Sequence, residues 1–367
     1  MKERMQAKGR VAVAISGGVD SSVTAALLLE AGYEVIGVTM QLWAAEPAGA
    51  AGAECSRRAG EAARDARRVA AALGIEHQLI DLQEQFQEGV VADFIREYRS
   101  GRTPNPCVVC NSRIKFSALL ERALALGASH LATGHYARVA YDPVSGRYLL
   151  RKGLDAKKDQ SYMLYRLTQE QLSRCLFPLG ELTKEEVRRK AAALHLPVAA
   201  KPESQEICFI PDNDYRAFLH RSGVTAAPGP IVSTAGKVLG RHRGLPYYTI
   251  GQRRGLGLAA PKPLYVVEIR TRDNTLVVGE KETLLRQGAV VEGVNLIAFP
   301  KLDREHRITV KIRYRAPAVP ATLHPSTGDR EVRVIFDQPQ AAVTPGQAAV
   351  FYQDDLVLGG GTIKATL

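Results

Sequence analysis

The sequence has no apolar run close to the ~18 residues that a helix needs to cross a bilayer. The apolar stretch Val11–Ile15, behind a charged N-terminal segment, is too short for the core of a signal peptide. Cysteine is scarce, since 367 residues contain five, unevenly spaced. Five thiols are too few for a disulfide framework and favour catalytic or metal-binding roles. These absences predict a soluble, cytoplasmic protein.

The sequence also has too few acidic residues to balance its basic residues. Lys and Arg number 49 against 38 Asp and Glu, a formal net charge of +11. Hydrophobic residues make up 46 % and charged residues 24 %, a globular composition that excludes intrinsic disorder. Residues 1–212 hold 28 basic and 25 acidic residues, whereas residues 213–367 hold 21 and 13. The excess therefore belongs to the rear of the chain and favours an anionic partner there, nucleic acid first.

The front of the chain alternates strand and helix patterns. Short apolar strands are predicted at Val11–Ile15, Glu34–Met40, His77–Leu82 and His130–Thr133, with a helix at Val23–Ala31. A further helix carries alanines on one face (Ala59, Ala62, Ala63, Ala66, Ala70, with Leu73) and arginines mainly on the other (Arg57, Arg58, Arg64, Arg67, Arg68). This rhythm predicts a parallel, doubly wound α/β domain. The Ala/Gly-rich stretch Ala44–Ala53 is predicted to be a loop.

The rear of the chain is β-rich. Leu264–Arg270 and Thr275–Gly279 predict a hairpin, and Arg307–Arg315 alternates strictly, with Ile308, Val310, Ile312 and Tyr314 on one face and four basic residues and Thr309 on the other. Closely spaced strands of this kind predict a small barrel or sandwich. We expect three domains: 1–212, a central β-rich domain at 213–285, and a C-terminal β-barrel at 286–367.

A phosphate-binding loop stands between the first strand and the first helix. In Ser16–Ser22 (SGGVDSS) the glycines let backbone N–H groups close around an anion at a helix N-terminus. The loop lacks the lysine of a Walker A motif and the spacing of a dinucleotide fingerprint. SGGxDS in this position is typical of ATPases that cleave between the α and β phosphates. Such enzymes attach AMP to a carbonyl-type oxygen, and ammonia, an amino acid or sulfur then displaces the AMP. The alternative interpretation of Ser16–Ser22 is a plain glycine-rich turn.

The cysteines narrow the choice of nucleophile. Cys107 and Cys110 lie in a predicted rigid loop, framed by prolines, that precedes a helix, and Cys208 lies near the end of the first domain. Three interpretations stay open on the residues alone. Cys110 and Cys208 carry sulfur as a persulfide and its resolving thiol, or Cys107, Cys110 and Cys208 hold an iron–sulfur cluster, or Cys107 and Cys110 form half of a zinc site.

Eight segments together carry a family resemblance. They are Ala14–Ser22, Gly101–Phe116, Ala132–Arg138, Lys158–Leu164, Lys201–Pro211, Thr249–Leu258, Arg313–Arg315 and Ala342–Tyr352. Over essentially the whole chain the sequence resembles the bacterial tRNA-specific 2-thiouridylases. The resemblance implies a Rossmann-like pyrophosphate-loop ATPase domain, a small central domain and a C-terminal β-barrel. It also implies ATP-dependent thiolation of C2 of the wobble uridine (position 34) in tRNAs for Lys, Glu and Gln, with Mg²⁺ and an upstream sulfur donor such as a cysteine desulfurase or sulfur relay.

The resemblance also implies roles for individual residues. Cys110 matches the catalytic cysteine and Cys208 the persulfide-bearing one. The matching ATP positions are Ala14, Ile15, Ser16, Gly17, Gly18, Val19, Asp20, Ser21, Met40 and Gly134. The matching tRNA positions are Asn105, Pro106, Cys107, His135, Lys158, Asp159, Gln160, Arg313, Tyr314 and Gln347.

One position departs from the pattern of the best-known members, which carry Asp where this chain has Cys107. A thiol cannot simply replace a carboxylate in acid–base work. Other members with Cys here resemble enzymes that hold a [4Fe-4S] cluster on three cysteines, which would be Cys107, Cys110 and Cys208. The persulfide route and the cluster route therefore both stay open. Cys55 and Cys175 are expected to be structural.

Two other classes of function are weighed against this one. Another AMP-forming pyrophosphate-loop ligase or amidotransferase would not need Cys110 and Cys208. A non-catalytic RNA-binding protein would bind tRNA without ATP and release no pyrophosphate. Arg253 and Arg254, between glycines, predict either a phosphate-contacting loop or an ordinary turn.

Overall fold

A computed structural model describes residues 8–43, 50–202, 207–210, 212–326, 328 and 330–367. The chain forms two compact units, which are treated separately below. The first comprises residues 1–90, 107–213 and 355–357, and the second comprises residues 91–106, 214–354 and 358–367. None of the described helices is long and apolar enough to cross a membrane.

The described elements alternate at the front of the chain and are mostly strands at the rear. The strands are β1 (Arg10–Ala14), β2 (Glu34–Gln41), β3 (Glu76–Asp81), β4 (His130–Ala132), β5 (Ala137–Asp142), β6 (Arg147–Lys152), β7 (Cys175–Leu176), β8 (Gly229–Ser233), β9 (Val238–His242), β10 (Tyr265–Arg270), β11 (Thr275–Gly279), β12 (Leu285–Leu296), β13 (His306–Lys311), β14 (Val319–Pro325), β15 (Val332–Ala341), β16 (Ala348–Gln353) and β17 (Leu356–Thr366). The α-helices are α1 (Val19–Glu30), α2 (Ala50–Leu73), α3 (Gln83–Phe86), α4 (Ala92–Arg99), α5 (Pro106–Cys110), α6 (Leu120–Ala125), α7 (Gln169–Ser173), α8 (Lys184–Ala193) and α9 (Tyr215–Arg221), with π-helical turns at Gln87–Val91 and Asn111–Leu119.

A five-stranded parallel sheet forms the centre of the first unit. Its order is β3-β2-β1-β4-β7, and β1 lies between β2 and β4. Val11 and Val13 are fully buried and pack with Ala25 and Leu28 of α1. A strand buried on both faces has a continuous apolar run in its sequence, which is why β1 and β2 are predicted within one residue of their bounds. β3 and β4 are also predicted within one residue of their bounds, although β3 is half-exposed. The predicted parallel α/β sheet is confirmed.

The two helices that follow β1 and β2 differ from prediction in their starts. Helix α1 begins at Val19 rather than Val23. Gly18 has the extended conformation of an N-cap residue, and the helix starts directly after it. Helix α2 begins at Ala50, so the predicted loop is wrong for residues 50–53, while residues 44–49 lie outside the described part. The predicted faces of α2 are confirmed, since Ala66 and Ala70 are buried and the five arginines lie on exposed or half-exposed positions.

The rest of the first unit is a hairpin and a capped helix. Strands β5 and β6 pair antiparallel from Ala137↔Lys152 to Asp142↔Arg147, and Leu356 and Val357 pair with β6. The spacing of Thr183 and Glu186 (Thr-x-x-Glu) predicts a capping box at the start of a helix, and helix α8 starts with it: Thr183 Oγ1 accepts from the N–H of Glu186, and the Glu186 carboxylate accepts from the N–H of Thr183.

The second unit contains a four-stranded sheet with the order β10-β11-β8-β9. The predicted hairpin is confirmed, because β10 and β11 pair antiparallel from Tyr265↔Gly279 to Arg270↔Thr275. Ile231, Leu276 and Val278 are buried beneath it. This sheet forms the β-rich centre of the predicted fold class.

A closed six-stranded barrel follows. Its order is β12-β15-β14-β13-β16-β17, and β12 closes on β17. The predicted alternation holds for Ile308, Val310 and Ile312, which are buried. The predicted strand to Arg315 is wrong beyond Lys311: Val310 pairs with Val319, so residues 312–318 must turn the chain back. The three-part fold class is otherwise confirmed.

Residues 91–106 belong to the second unit although they come from the front of the sequence. On α4, Phe94 packs edge-to-face with Phe218 of α9 at 5.8 Å between ring centroids. Tyr98 stacks on Tyr215 at 4.7 Å. The aromatic contacts place α4 against α9. The boundaries 1–212, 213–285 and 286–367 stay predictions.

Candidate active site

The phosphate loop predicted at Ser16–Ser22 connects β1 to α1 at the carboxyl edge of the parallel sheet. Gly17 has a φ of +68°, and a Cβ there would lie 2.5 Å from the Ala62 carbonyl oxygen of α2. Glycine is therefore required at position 17 for two reasons: the backbone conformation disfavours other residues, and there is no room for a Cβ. Gly18 caps α1 without a side-chain hydrogen bond, so the helix N-terminus offers backbone N–H groups to an anion.

Hydrogen bonds of the Ser21 and Ser22 side chains stabilise the conformation of this loop. Ser21 Oγ accepts from the Ser16 N–H at 3.1 Å, and Ser22 Oγ donates to the Gly18 carbonyl oxygen at 2.8 Å. Both serines are buried, whereas Ser16 is exposed. Backbone N–H groups and Ser16 are thus the loop's accessible donors.

Asp20, in the first turn of α1, is held by a lysine. Lys184 Nζ contacts both carboxylate oxygens, at 2.7 and 2.8 Å, and the Tyr136 hydroxyl donates to Oδ1 at 2.8 Å. Lys184 is itself buried. The ion pair offsets the negative charge that a carboxylate would bring to an anion-binding helix end.

Met40 and Gly134, the other two predicted ATP positions, lie at the same edge of the sheet. Met40 is the last residue but one of β2, and Gly134 follows β4. A Cβ on Gly134 would lie 2.9 Å from the backbone of both Asp20 and Ser21. The parallel sheet therefore gathers the predicted ATP residues along one edge, where open α/β sheets bind ligands.

Cys107 and Cys110 lie inside helix α5, not in the loop before it. Three residues apart, they share one helix face. Cys107 is exposed and Cys110 half-buried. The helix N-terminus favours a thiolate, but burial of the sulfur atoms is the stronger effect. It raises the pKa of Cys107, although that residue as a whole is exposed, and raises the pKa of Cys110 to about 11. The Lys115 ammonium lowers both pKa values without overcoming burial.

Cys208 lies in the electrostatic neighbourhood of the same two thiols. Burial of the sulfur raises the pKa of Cys208 well above its ordinary value, and the thiols of Cys110 and Cys107 raise it further, although the residue as a whole is exposed. The next residue, Phe209, is buried and packs on Phe86 at 5.8 Å. All five cysteines are free thiols.

The pKa of Cys110 has a consequence for its reactivity. At pH 8 about one Cys110 thiol in a thousand is ionised, so alkylation is expected to accelerate about tenfold per pH unit up to pH 10 without a plateau. The rate can be followed by iodoacetamide labelling and mass spectrometry of the Cys110 peptide, with the excised peptide as control. Lys115→Met should slow labelling further, because it removes the charge that lowers the pKa. A plateau at or below pH 9 would contradict this assignment.

The arrangement of the thiols bears on the metal predictions. Across the described ranges, no group of three or more His, Cys, Asp or Glu side chains is placed to hold a metal ion. Cys107, Cys110 and Cys208 are therefore not arranged as the ligands of a [4Fe-4S] cluster, and the zinc half-site interpretation of Cys107 and Cys110 stays a prediction. Neighbouring free thiols fit sulfur transfer between cysteines instead.

Several predicted tRNA positions are buried. His135 is 8 % exposed, accepts or donates at 2.7 Å with Thr133 Oγ1, and is kept neutral because burial lowers its pKa well below 6.5. Asp159 is also 8 % exposed, and its carboxylate accepts from Gly153 N–H and from Ser161 N–H and Oγ. Their environments support folding roles, and tRNA contact at these two positions stays a prediction.

The neighbouring positions are more accessible. Lys158 and Gln160 are half-buried, and Gln160 Oε1 accepts from the Tyr136 N–H at 3.1 Å. Arg313 is exposed and donates to the Ala341 carbonyl oxygen, while Lys311 Nζ lies 5.7 Å from the Tyr314 ring centre. Arg313 and Tyr314 therefore lie on the turn after β13, a better place to reach a ligand than a barrel wall.

Gln347 is engaged with the segment that leads to the cysteines. Its Nε2 donates to the carbonyl oxygens of Thr103 (3.0 Å) and Pro104 (3.1 Å). Thr103 N–H in turn donates to Pro345 O at 2.9 Å. Asn105 and Pro106 come next in the chain, half-buried and buried. Within the second unit, Gln347 thus fixes the backbone just ahead of these predicted tRNA positions.

Comparison with known proteins decides the family. Three domain models match in order: a tRNA methyl transferase HUP domain at residues 9–212, a tRNA methyl transferase PRC-barrel domain at 216–280 and an aminomethyltransferase beta-barrel domain at 286–363. The tRNA-specific 2-thiouridylase MnmA of Moorella thermoacetica is 54 % identical over 96 % of this chain and 99 % of its own length. Those of Carboxydothermus hydrogenoformans (52 %, 98 % and 98 %) and Heliobacterium modesticaldum (52 %, 98 % and 94 %) are similar.

The chain belongs to the tRNA-specific 2-thiouridylase family. Membership confirms the resemblance, the enzyme class of ATP-using tRNA sulfurtransferase and the three-part fold class. It does not favour a small-molecule ligase or amidotransferase.

Some residues of this 2-thiouridylase site were missed at the level of sequence. Lys184 and Tyr136 hold Asp20, and Lys201 contacts Gly17. Weak signals were present, since Lys184 follows the predicted cap Thr183, and Tyr136 and Lys201 lie in segments that carry the resemblance. Contacts between residues more than a hundred positions apart have no local pattern, which is why these roles could not be assigned.

Proposed function

We propose that this chain catalyses ATP-dependent 2-thiolation of the wobble uridine, position 34, of tRNAs for Lys, Glu and Gln. The single observation that carries the route is the shared electrostatic neighbourhood of the free thiols of Cys107, Cys110 and Cys208. These thiols lie in the same compact unit as the phosphate loop. Family membership supports the reaction, and the neighbourhood of the three thiols supports a route by which sulfur passes between cysteines.

The first half-reaction is adenylation. ATP, accompanied by Mg²⁺ held chiefly by its phosphates, binds the N–H groups of residues 17–19. The uridine must leave its stack for C2 to be reached. The C2 oxygen attacks the α-phosphorus, a P–O bond forms, and pyrophosphate leaves.

Sulfur transfer follows. A donor such as a cysteine desulfurase or sulfur relay loads Cys208 as a persulfide, and its terminal sulfur attacks C2 and displaces AMP. The Cys110 thiolate then attacks Cys208 Sγ, which breaks the S–S bond and leaves 2-thiouridine and a Cys110–Cys208 disulfide. An external thiol reductant must return both cysteines to free thiols. The proposed place of reaction is the cytoplasm, where these tRNAs are used.

The test is reconstitution after anaerobic purification. The purified protein is assayed for iron and sulfide, and then for 2-thiouridine and pyrophosphate formation with tRNA, ATP and a persulfide donor. The proposal expects iron-free protein to thiolate tRNA with one pyrophosphate released per thiolation. Activity that tracks bound iron would replace the persulfide route, and pyrophosphate release without tRNA thiolation would overturn the proposed function.

We propose that the positively charged region formed by residues 213–367 binds the tRNA. Residues 213–367 carry an excess of eight basic residues. An open groove of about 610 Å³ in the second unit is lined by Arg216, Arg254, Tyr215 and the turn 249–252. Arg253 and Arg254 are exposed there, which favours the phosphate-contacting alternative for this turn.

Affinity for tRNA is therefore expected to depend steeply on salt. With ~4–8 phosphates neutralised, log K should fall against log salt with a slope of about −3 to −7, and Arg254→Gln should make that slope shallower by about 1. Filter binding across 50–300 mM salt measures both. Arg122→Gln, an exposed change in the nearly neutral front, is the matched control and should leave the slope unchanged. Equal slopes for wild type and Arg254→Gln would remove this groove from the tRNA site.

A further inference from the structure

Lys201 reaches the phosphate loop from far along the chain. Its Nζ donates to the Gly17 carbonyl oxygen at 3.0 Å and to Asp65 Oδ2 of α2 at 2.7 Å. The side chain is 37 % exposed and that of Asp65 21 %. An ammonium with these two partners has a fixed place and direction at the base of the loop.

The carbonyl that Lys201 holds belongs to a peptide with little freedom. Gly17 is at a φ of +68° and lies against α2, where a Cβ would meet Ala62 O at 2.5 Å and Asp65 Cβ at 3.0 Å. In a trans peptide the carbonyl and the following N–H point to opposite sides. With Gly17 O bound to Lys201, the Gly18 N–H must point away from Lys201 and from α2.

We propose that Lys201 is a positioning residue for ATP: it fixes the Gly17–Gly18 peptide so that the Gly18 N–H faces the β and γ phosphates. Asp65 holds the ammonium in place. This inference rests on the proposed binding of ATP at residues 16–22. Lys201 acts through the loop backbone, so its effect is confined to ligands that reach the loop with their β and γ phosphates.

Lys201 also begins the stretch that leads to Cys208. Its own N–H donates to Val198 O at 2.9 Å, which ties the lysine backbone to the end of the preceding segment. Seven residues later comes the predicted persulfide cysteine. Lys201 therefore contacts the phosphate loop from a position seven residues before that cysteine in the sequence.

The experiment compares nucleotides that differ in their phosphates. ATP and AMP affinities are measured by calorimetry for wild type, Lys201→Met, Lys201→Arg and Asp65→Asn. Lys201→Met is expected to weaken ATP binding roughly tenfold and AMP binding less than twofold, because the oriented N–H serves phosphates that AMP lacks. Lys201→Arg should retain ATP affinity within about threefold, since guanidinium can donate to the same carbonyl and carboxylate. Asp65→Asn should fall between them.

Lys190→Met is the matched control, a half-buried lysine of α8 that pairs weakly with Glu30 at 3.8 Å. It should leave both affinities unchanged. An equal loss of ATP and AMP affinity in Lys201→Met would assign the lysine a general folding role, and no loss of either would also overturn the inference. Wild-type protein that binds no ATP would instead refute the proposed function, so the two failures are distinct.

Discussion

Replacing Cys208 by serine is expected to abolish tRNA thiolation while ATP binding stays intact. An alcohol cannot carry a persulfide, so the loss should reach about 10³-fold or more, as for other nucleophiles removed outright. Cys110→Ser should be as inactive over many turnovers, because the S–S bond to the transferred sulfur is never cleaved. 2-Thiouridine measured by mass spectrometry of digested tRNA gives the rates.

The two cysteine variants differ in where they stop. Cys110→Ser should still accept sulfur on Cys208 and trap the tRNA in a mixed disulfide that dithiothreitol releases. Cys208→Ser should accept no sulfur yet still release pyrophosphate with tRNA. Cys175→Ala, a buried cysteine of β7 outside the site, serves as the control and should keep wild-type activity. Thiolation at the wild-type rate by Cys110→Ser would falsify the persulfide route and the cluster route together.

A second large effect is expected from Gly17→Ala. The added Cβ meets the Ala62 carbonyl oxygen at 2.5 Å in a backbone conformation that alanine disfavours, so the loop must move off α2. Displaced N–H groups lose charge-assisted hydrogen bonds worth about 1.5–3 kcal/mol each, and thiolation should fall about 100-fold or more. Pyrophosphate release with tRNA measures the affected step, and persulfide loading of Cys208 should be unchanged.

Gly127→Ala separates this clash from backbone strain. Gly127 has a φ of +79°, and a Cβ added there would have nothing within 4 Å, so alanine at this position carries strain alone. The free energy of unfolding should drop by about 1 kcal/mol, with activity unchanged. If Gly17→Ala kept activity within threefold of Gly127→Ala, the loop would not be the ATP site.

The sequence predicted best those features that repeat locally. Strand β1, the arginine face of α2 and the Thr183–Glu186 capping box each have a short-range pattern with one structural solution. The strand predicted to continue to Arg315 was wrong for the opposite reason. Its apolar–basic alternation continues past Lys311, but the pairing of Val310 with Val319 requires a turn that alternation does not encode.

The site was predictable in its residue types and not in its contacts. Cys110, Cys208 and the glycines stand out in the sequence, whereas the pairing of Asp20 with Lys184 joins residues 164 positions apart. Burial of His135 and Asp159 likewise depends on packing that no window of sequence reports. Polar residues in a family motif can be folding residues as readily as ligand contacts.

The bonds from Gln347 to Thr103 and Pro104 span 244 and 243 positions, which matters for how the enzyme is made. Ribosomes deliver residues 91–106 long before their partners, and α4 exposes Phe94 and Tyr98 until α9 follows. The segment ahead of Cys107 gains these hydrogen bonds only when Gln347 has been synthesised. Until then the backbone of residues 103 and 104 lacks the contacts that fix it in the finished protein.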